Sequence, residues 1–331
     1  MNRSSRLLAA TLGVALTVSL AACGDDDSDN DATTGASSSS ASSDSATAAE
    51  GYYPHTQTTT HGDTTIEAQP EKIVALTPTA ADELLALGIT PTAVATDPAT
   101  LDVTAPWIAD DIRDISDASL VSPSQEINVE GLANLDADLM IGASYQFKDK
   151  AVWEKVNAVA PTVIPENSDY NVGWEASLRT TAEAVGLEDK AEEIIGELKD
   201  EYSDAAGDVP AGKTYNFTGY GEGMDFFSGN GSVFQLFGLT PSETQDDTQT
   251  KDAISVENTD QLVGDLLAVW PQTDADRKAL DENSAFQKLP AVENGTVYYV
   301  DQSDAFAINA AGPHSLRWFL DRITPTIEKL K

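Results

Sequence analysis

Residues 128–141, NVEGLANLDADLMI, recur in outline at 255–268 as SVENTDQLVGDLLA, and this pair decides the fold. In each copy a polar residue, Asn128 or Ser255, precedes Val-Glu. A leucine stands five residues after the glutamate, at Leu135 and Leu262, and an aspartate eight after it, at Asp138 and Asp265, opens an apolar run. Asn and Ser side chains accept hydrogen bonds from the first N–H groups of a helix, and a short apolar run bounded by turn residues reads as a buried strand. Each copy therefore predicts a capped helix, a turn and a buried strand. The chain predicts two similar α/β lobes, each a mostly parallel sheet flanked by helices.

Upstream of the first copy, Thr56 to Glu67 is threonine-rich and broken by His61-Gly62-Asp63, which reads as an edge hairpin. Lys72 to Leu76 is a buried strand, a helix runs from Thr79 to a glycine stop at Leu87-Gly88, and Ile89 to Ala95 is the next strand. Between the copies, Trp174 to about Ala206 is helical with one break at Gly186, and Ala191, Ile194, Ile195, Leu198 and Tyr202 share a face. A helix from Asp189 to Ala206 would span roughly 27 Å, enough to serve as a rigid strut between lobes. Lys213 to Thr218 and Leu266 to Val269 are strands of the second lobe, and Ser315 to Leu330 is a final helix bent or restarted at Pro325.

The N-terminus is of a different kind. Arg3 and Arg6 precede an uncharged stretch from Leu7 to Ala22, short of the roughly 20 apolar residues of a membrane helix and of the length of an export signal. Leu20-Ala21-Ala22-Cys23 resembles the lipobox of bacterial lipoproteins, which implies lipidation of Cys23, the single cysteine of the chain. Residues 24–50 are almost wholly Asp, Ser, Ala, Thr and Gly and have no large apolar side chain to offset their ordering entropy. The expected organisation is a signal peptide over 1–22, a lipid-anchored tether over 23–51, a first lobe over 52–172, a helical segment over 173–210 and a second lobe over 211–331. The formal charge of -36 grows two units more negative when Arg3 and Arg6 leave with the signal, and such a surface repels nucleic acid.

Catalysis needs convergent groups. The three histidines, His55, His61 and His314, are badly distributed for a triad or a zinc site, and no serine occupies a Gly-x-Ser-x-Gly elbow. Asp97 and Glu222 are the two carboxylates that the strand pattern places near a cleft, and a secreted lipid-anchored hydrolase would have to use them. Aromatic residues instead recur at predicted strand ends: Tyr145, Tyr170 and Trp174 in the first lobe, Tyr220, Trp270 and Phe306 in the second, with Met224 beside them. Ligands of open α/β sheets bind outside the carboxyl ends of the strands, so these seven are the candidate ligand contacts. Each taken alone is more readily a core residue than a ligand contact, and their recurrence in loops favours a cleft for about half of them. Glu130 and Glu257 hold equivalent places near a helix start, where a carboxylate also suits the helix dipole. Two equivalent lobes would present them to a two-fold symmetric partner.

At this level the chain resembles the substrate-binding lipoproteins of ABC importers, in the class whose lobes are joined by a long helix and which carry ferric siderophores, haem or cobalamin. The resemblance is carried by Pro70 to Leu76, Ala81-Asp82-Glu83-Leu-Leu-Ala-Leu-Gly88, Asn128-Val-Glu130 through Asp138, and Trp174 to Glu197. Its most specific piece is Phe286 to Asp301, FQKLPAVENGTVYYVD, which is similar to a segment late in iron-siderophore members. It implies a monomeric, non-enzymatic receptor on the extracytoplasmic face of the membrane, without a resident cofactor or metal, that hands a ferric chelate to a permease dimer. It also implies that Glu130 and Glu257 dock on permease arginines, one per lobe. Many siderophore binders place arginines just after strands. Here none follows a predicted strand immediately, and the mature chain has only Arg113, Arg179, Arg277, Arg317 and Arg322. The expectation is a neutral or cationic ferric chelate of the hydroxamate type, with haem or cobalamin as alternative cargo.

Overall fold

Leu139, Met140 and Ile141, the apolar run closing the first copy of the repeat, form a fully buried strand at the centre of a four-stranded parallel sheet. The computed structural model describes residues 47–122, 126–166, 172–221, 225–248 and 253–331. The strands are β1 (His55–Thr59), β2 (Gly62–Ile66), β3 (Ile73–Ala75), β4 (Ala93–Val94), β5 (Leu139–Ile141), β6 (Thr162–Val163), β7 (Thr214–Gly221), β8 (Asp225–Ser228), β9 (Thr240–Pro241), β10 (Leu266–Pro271) and β11 (Val297–Tyr299). The first lobe's sheet has the order β4-β3-β5-β6, all parallel. The second has β11-β10-β7-β8, with β9 also on β7, and only β8 runs antiparallel. Parallel strands are covered on both faces, which is why β3 and β5 are continuous apolar runs with no polar alternation.

The two repeat aspartates do the same work in both sheets. Asp138, just before β5, accepts the backbone N–H groups of Glu71 and Lys72 at 2.9 Å, fixing the chain as it enters β3. Asp265, just before β10, accepts the Thr214 N–H at 2.9 Å and the Lys213 ammonium at 2.8 Å, fixing the start of β7. Each carboxylate thus sets the register of a parallel neighbour, which no hairpin turn could do.

Between the sheets the chain runs through the helices Trp174–Val185 and Glu188–Ala206. The break expected at Gly186 is present, with that glycine in the left-handed region at φ 70°. The last helix, Pro313–Ile327, continues in the short turn Glu328–Leu330 and packs on Glu188–Ala206 and on the first-lobe helix Pro78–Ala86, tying the lobes together. It starts two residues before the expected Ser315 and is capped by another element. Gly312 supplies the extended cap backbone but no side chain, and the buried Asp82 of Pro78–Ala86 accepts the N–H groups of His314 at 2.8 Å and Ser315 at 3.0 Å. A β-carbon on Gly312 would lie 2.8 Å from the Asp82 carboxyl carbon, so this cap requires glycine.

Three expectations change in detail. The hairpin β1-β2 pairs only with itself instead of edging a lobe sheet, and it docks on the linking helix through the Gln57 amide, which donates to the Thr180 carbonyl at 2.9 Å. The strand expected over Ile89 to Ala95 shortens to the two residues of β4. The second repeat copy forms the 3-10 turn Val256–Gln261 instead of an α-helix.

Candidate functional site

The carboxyl ends of β3, β4 and β5 open on one cavity of about 600 Å³. After β3, Thr77, Pro78 and Thr79 begin the helix Pro78–Ala86; after β4, Ala95, Thr96 and Asp97 lead into the turn Pro98–Thr100. Thr100, Thr104 and Trp107 extend that wall, and Ala118, Val121 and Ser122 continue it. Tyr145, in the short helical turn after β5, and Phe306 and Ala310, from the segment after β11, complete the lining. Residues of both lobes therefore meet in the cavity, and the Thr79 hydroxyl donates across it to the Ala310 carbonyl at 3.2 Å.

Of the seven candidate contacts, the structure brings Tyr145 and Phe306 to this cavity, and Tyr145 is 41 % exposed. Trp174 is 8 % exposed and packs in the core of the linking helices. Tyr220 is fully buried against Phe226, ring centres 4.8 Å apart, and burial raises its phenol pKa. Trp270 is half-buried against the same core as Trp174. Tyr170, Met224, Glu222 and Cys23 lie outside the described residues. The threonine wall and Trp107 were not among the aromatic candidates. Asp97, one of the two carboxylates expected near a cleft, does line it, and the strand-end rule applied to every residue type also finds Thr77 and Thr96. Trp107 follows no strand and reaches the cavity only through packing, 5.6 Å from Trp318 of the last helix.

The electrostatics of the cavity are one-sided. Asp97 is the single charged residue of its lining among the described residues. All five arginines among the described residues are engaged with carboxylates elsewhere: Arg113 with Asp102, Arg179 with Glu192, Arg277 with Asp281, Arg317 with Glu201, and Arg322 with Asp304. His314 is not part of the lining; its Nδ1 lies 3.0 Å from Asp82, and that hydrogen bond raises its pKa against the opposing effect of burial. Among the described residues no group of three His, Cys, Asp or Glu could hold a metal ion.

Glu130 and Glu257 are both exposed, each the second residue of its turn of helix. The equivalence extends one step upstream, because Ile127 and Ile254 each form an isolated antiparallel bridge, to Val121 and to Phe226. In the first lobe that bridge joins the Glu130 helix to a wall of the cavity.

Two mostly parallel sheets with a cavity lined by residues of both lobes are the architecture of a two-lobed solute-binding protein. Residues 73–303 match the family model described as periplasmic binding protein, which spans more than half of the chain, and the chain belongs to that family. The family's members bind solutes without transforming them, so this is a binding protein and not an enzyme. Among curated relatives, it is 27 % identical over 286 residues to a probable siderophore-binding lipoprotein, YfiY, of Bacillus subtilis, covering 80 % of this chain and 85 % of that one. The Fe(3+)-citrate-binding protein YfmC is 26 % identical, covering 73 % and 76 %, and the iron(3+)-hydroxamate-binding protein FhuD is 28 % identical, covering 61 % and 66 %, both from the same organism. A periplasmic solute binding protein of Mycobacterium smegmatis shares the fold with a TM-score of 0.66 at 24 % identity, covering 83 % of this chain and 98 % of that one.

Proposed function

We propose that the protein is the extracytoplasmic, lipid-anchored receptor of an ABC importer, capturing a ferric siderophore of the hydroxamate type and delivering it to the permease. The observation that carries this reading is the cavity's charge. A ferric catecholate or citrate chelate is multiply anionic and calls for cationic donors, whereas this lining has one carboxylate, no arginine and no lysine among the described residues. A neutral or cationic chelate suits it. The siderophore- and hydroxamate-binding relatives support the cargo class, and the citrate-binding relative marks the competing one.

On this reading Cys23 carries the lipid, residues 24–50 form the tether, and Glu130 and Glu257 meet one permease subunit each. The test is a titration of the chain lacking residues 1–50 with ferric hydroxamate, catecholate and citrate chelates, followed by tryptophan fluorescence. Saturable 1:1 quenching by the hydroxamate is expected, because Trp107 lines the cavity and packs against Trp318. Tight binding of catecholate or citrate without hydroxamate would overturn the cargo class. Glu130→Lys with Glu257→Lys is expected to leave that titration intact and to lower uptake in cells by at least about tenfold, the size of effect that reversal of close interfacial charges produces.

A further inference from the structure

Asp97 was singled out in the sequence as a carboxylate near the cleft, and solute binding by itself assigns it no role. It follows β4 and caps the turn Pro98–Thr100: its Oδ1 accepts the Ala99 N–H at 2.9 Å, and its carbonyl accepts the Thr100 N–H at 3.1 Å and the Thr100 hydroxyl at 2.9 Å. Asn or Ser would cap that turn as well, so the cap does not explain the negative charge. The charge is also uncompensated, since Asp97 forms no ion pair among the described residues. The adjacent Arg113 donates to the Pro98 carbonyl at 2.8 Å and pairs with Asp102 instead. The wall around it is rich in acceptors. The Thr79, Thr100 and Thr104 hydroxyls donate their protons to backbone carbonyls, and the Thr77 hydroxyl oxygen receives the Ala80 N–H.

We propose that Asp97 is a specificity-determining residue that recognises a primary ammonium group carried at the periphery of a ferric trihydroxamate cargo. The inference rests on the cargo class given under Proposed function and adds the charge that the receptor selects. A carboxylate held by its own turn presents a fixed partner to a flexible cation. Because the site is open to water, the discrimination it provides is modest, on the order of fivefold at low salt.

The experiment compares two probes, a ferric trihydroxamate with a free primary amine and the same chelate with that amine acetylated. Each is titrated into the chain lacking residues 1–50 and into its Asp97→Asn variant, which keeps the turn cap. The readout is the ratio of the two affinities within each protein, so a general weakening cancels. The expected ratio is about fivefold in favour of the amine for the native residue, shrinking in high salt, and about one for Asp97→Asn. Equal binding of both probes by the native protein overturns the role of Asp97, as does a preference that survives the substitution; in both cases the cargo class stands. If neither trihydroxamate binds while a catecholate or citrate chelate does, the cargo class falls, and this inference with it.

Discussion

The two lobes repeat one design but are fastened to the helices between them by opposite chemistry. In the second lobe the fastening is mainly aromatic: the Tyr202 ring of the linking helix packs tilted against Phe237 at 4.7 Å, and Phe319 of the last helix meets Phe234 at 6.1 Å and Tyr298 at 5.8 Å. In the first lobe it is carboxylic. Asp82 caps the last helix, and Glu83, fully buried, accepts the Thr181 hydroxyl of the linking helix at 2.5 Å. Aromatic packing is indifferent to pH and carboxyl groups are not. The second lobe's own carboxylate against the last helix, Asp304, is paired with Arg322 at 2.6 Å, whereas Glu83 has no ion pair among the described residues, so near neutral pH the first lobe's attachment should respond more than the second's.

Glu83 gives the largest expected effect. Burial pushes its pKa up to about 7, against the lowering effect of hydrogen bonds from Ser177 and Thr181. A folded-state pKa above the unfolded one means the native state holds the proton more tightly, so stability falls as pH rises from the unfolded value toward 7 and levels off above it. Replacing Glu83 with Gln removes that dependence. Between pH 5 and pH 8 the variant should gain about 2 to 3 kcal/mol relative to the native chain in urea unfolding. Parallel profiles for the two proteins would show that the carboxylic attachment is no weaker when charged. His314 works in the same direction: its raised pKa stabilises the Asp82 contact below its unfolded pKa, and the contribution is lost as pH rises through the folded value.

The repeat aspartates sharpen the comparison at the next level. Asp138 is exposed and receives two backbone N–H groups, whereas Asp265 is about one-third exposed and receives a backbone N–H, a hydroxyl and an ammonium. Burial alone would raise the Asp265 pKa, but the bonds from Lys213 and Thr214 together bring it below the usual value. Its contribution is therefore present above the unfolded pKa and lost as pH falls through the folded one. Replacement by alanine should cost about 2 kcal/mol at Asp265 and about 1 kcal/mol at Asp138 in denaturant unfolding at neutral pH. Equal losses would mean that the number of partners does not matter and that entry into the parallel neighbour is the whole function of the position.

The parts of this fold that the sequence made legible are those set by local pattern. β3, β5 and β10 are apolar runs because both faces are buried, and the glycine break at Gly186 needs only one residue to announce it. The site was half legible. Tyr145 and Phe306 reach the cavity, but Tyr220 and Trp174 are core residues: Tyr220 lies within β7, where a sheet strand buries an aromatic on either face, and Trp174 opens a helix that packs it in the core. The threonine wall reads in sequence as caps and turns, which Thr77 and Thr100 indeed form. Trp107 is fixed by Trp318 from the far end of the chain, and no local pattern reports such a contact.

The smallest expected effect concerns the feature with which the repeat begins. Asn128 and Ser255 are both good cap residues, yet only Asn128 caps with its side chain, accepting the Gly131 N–H at 3.1 Å while its amide donates to the Ser119 carbonyl at 2.8 Å. The Ser255 hydroxyl is shorter and instead accepts the Asn258 amide at 3.1 Å, and Asn258 leaves the helical region at φ -102° and ψ 23°. A local side-chain bond has displaced the helix. Asn128→Ala should therefore cost about 1 kcal/mol, and Ser255→Ala only a few tenths. Asn258→Ala removes the competitor, and hydrogen exchange at residues 256–261 should then slow as the turn winds toward the α-helix of the first copy. If it does not, the bridge from Ile254 to Phe226, and not the choice of cap, holds the second copy open, and the equivalence of Glu130 and Glu257 rests on the paired bridges and aspartates alone.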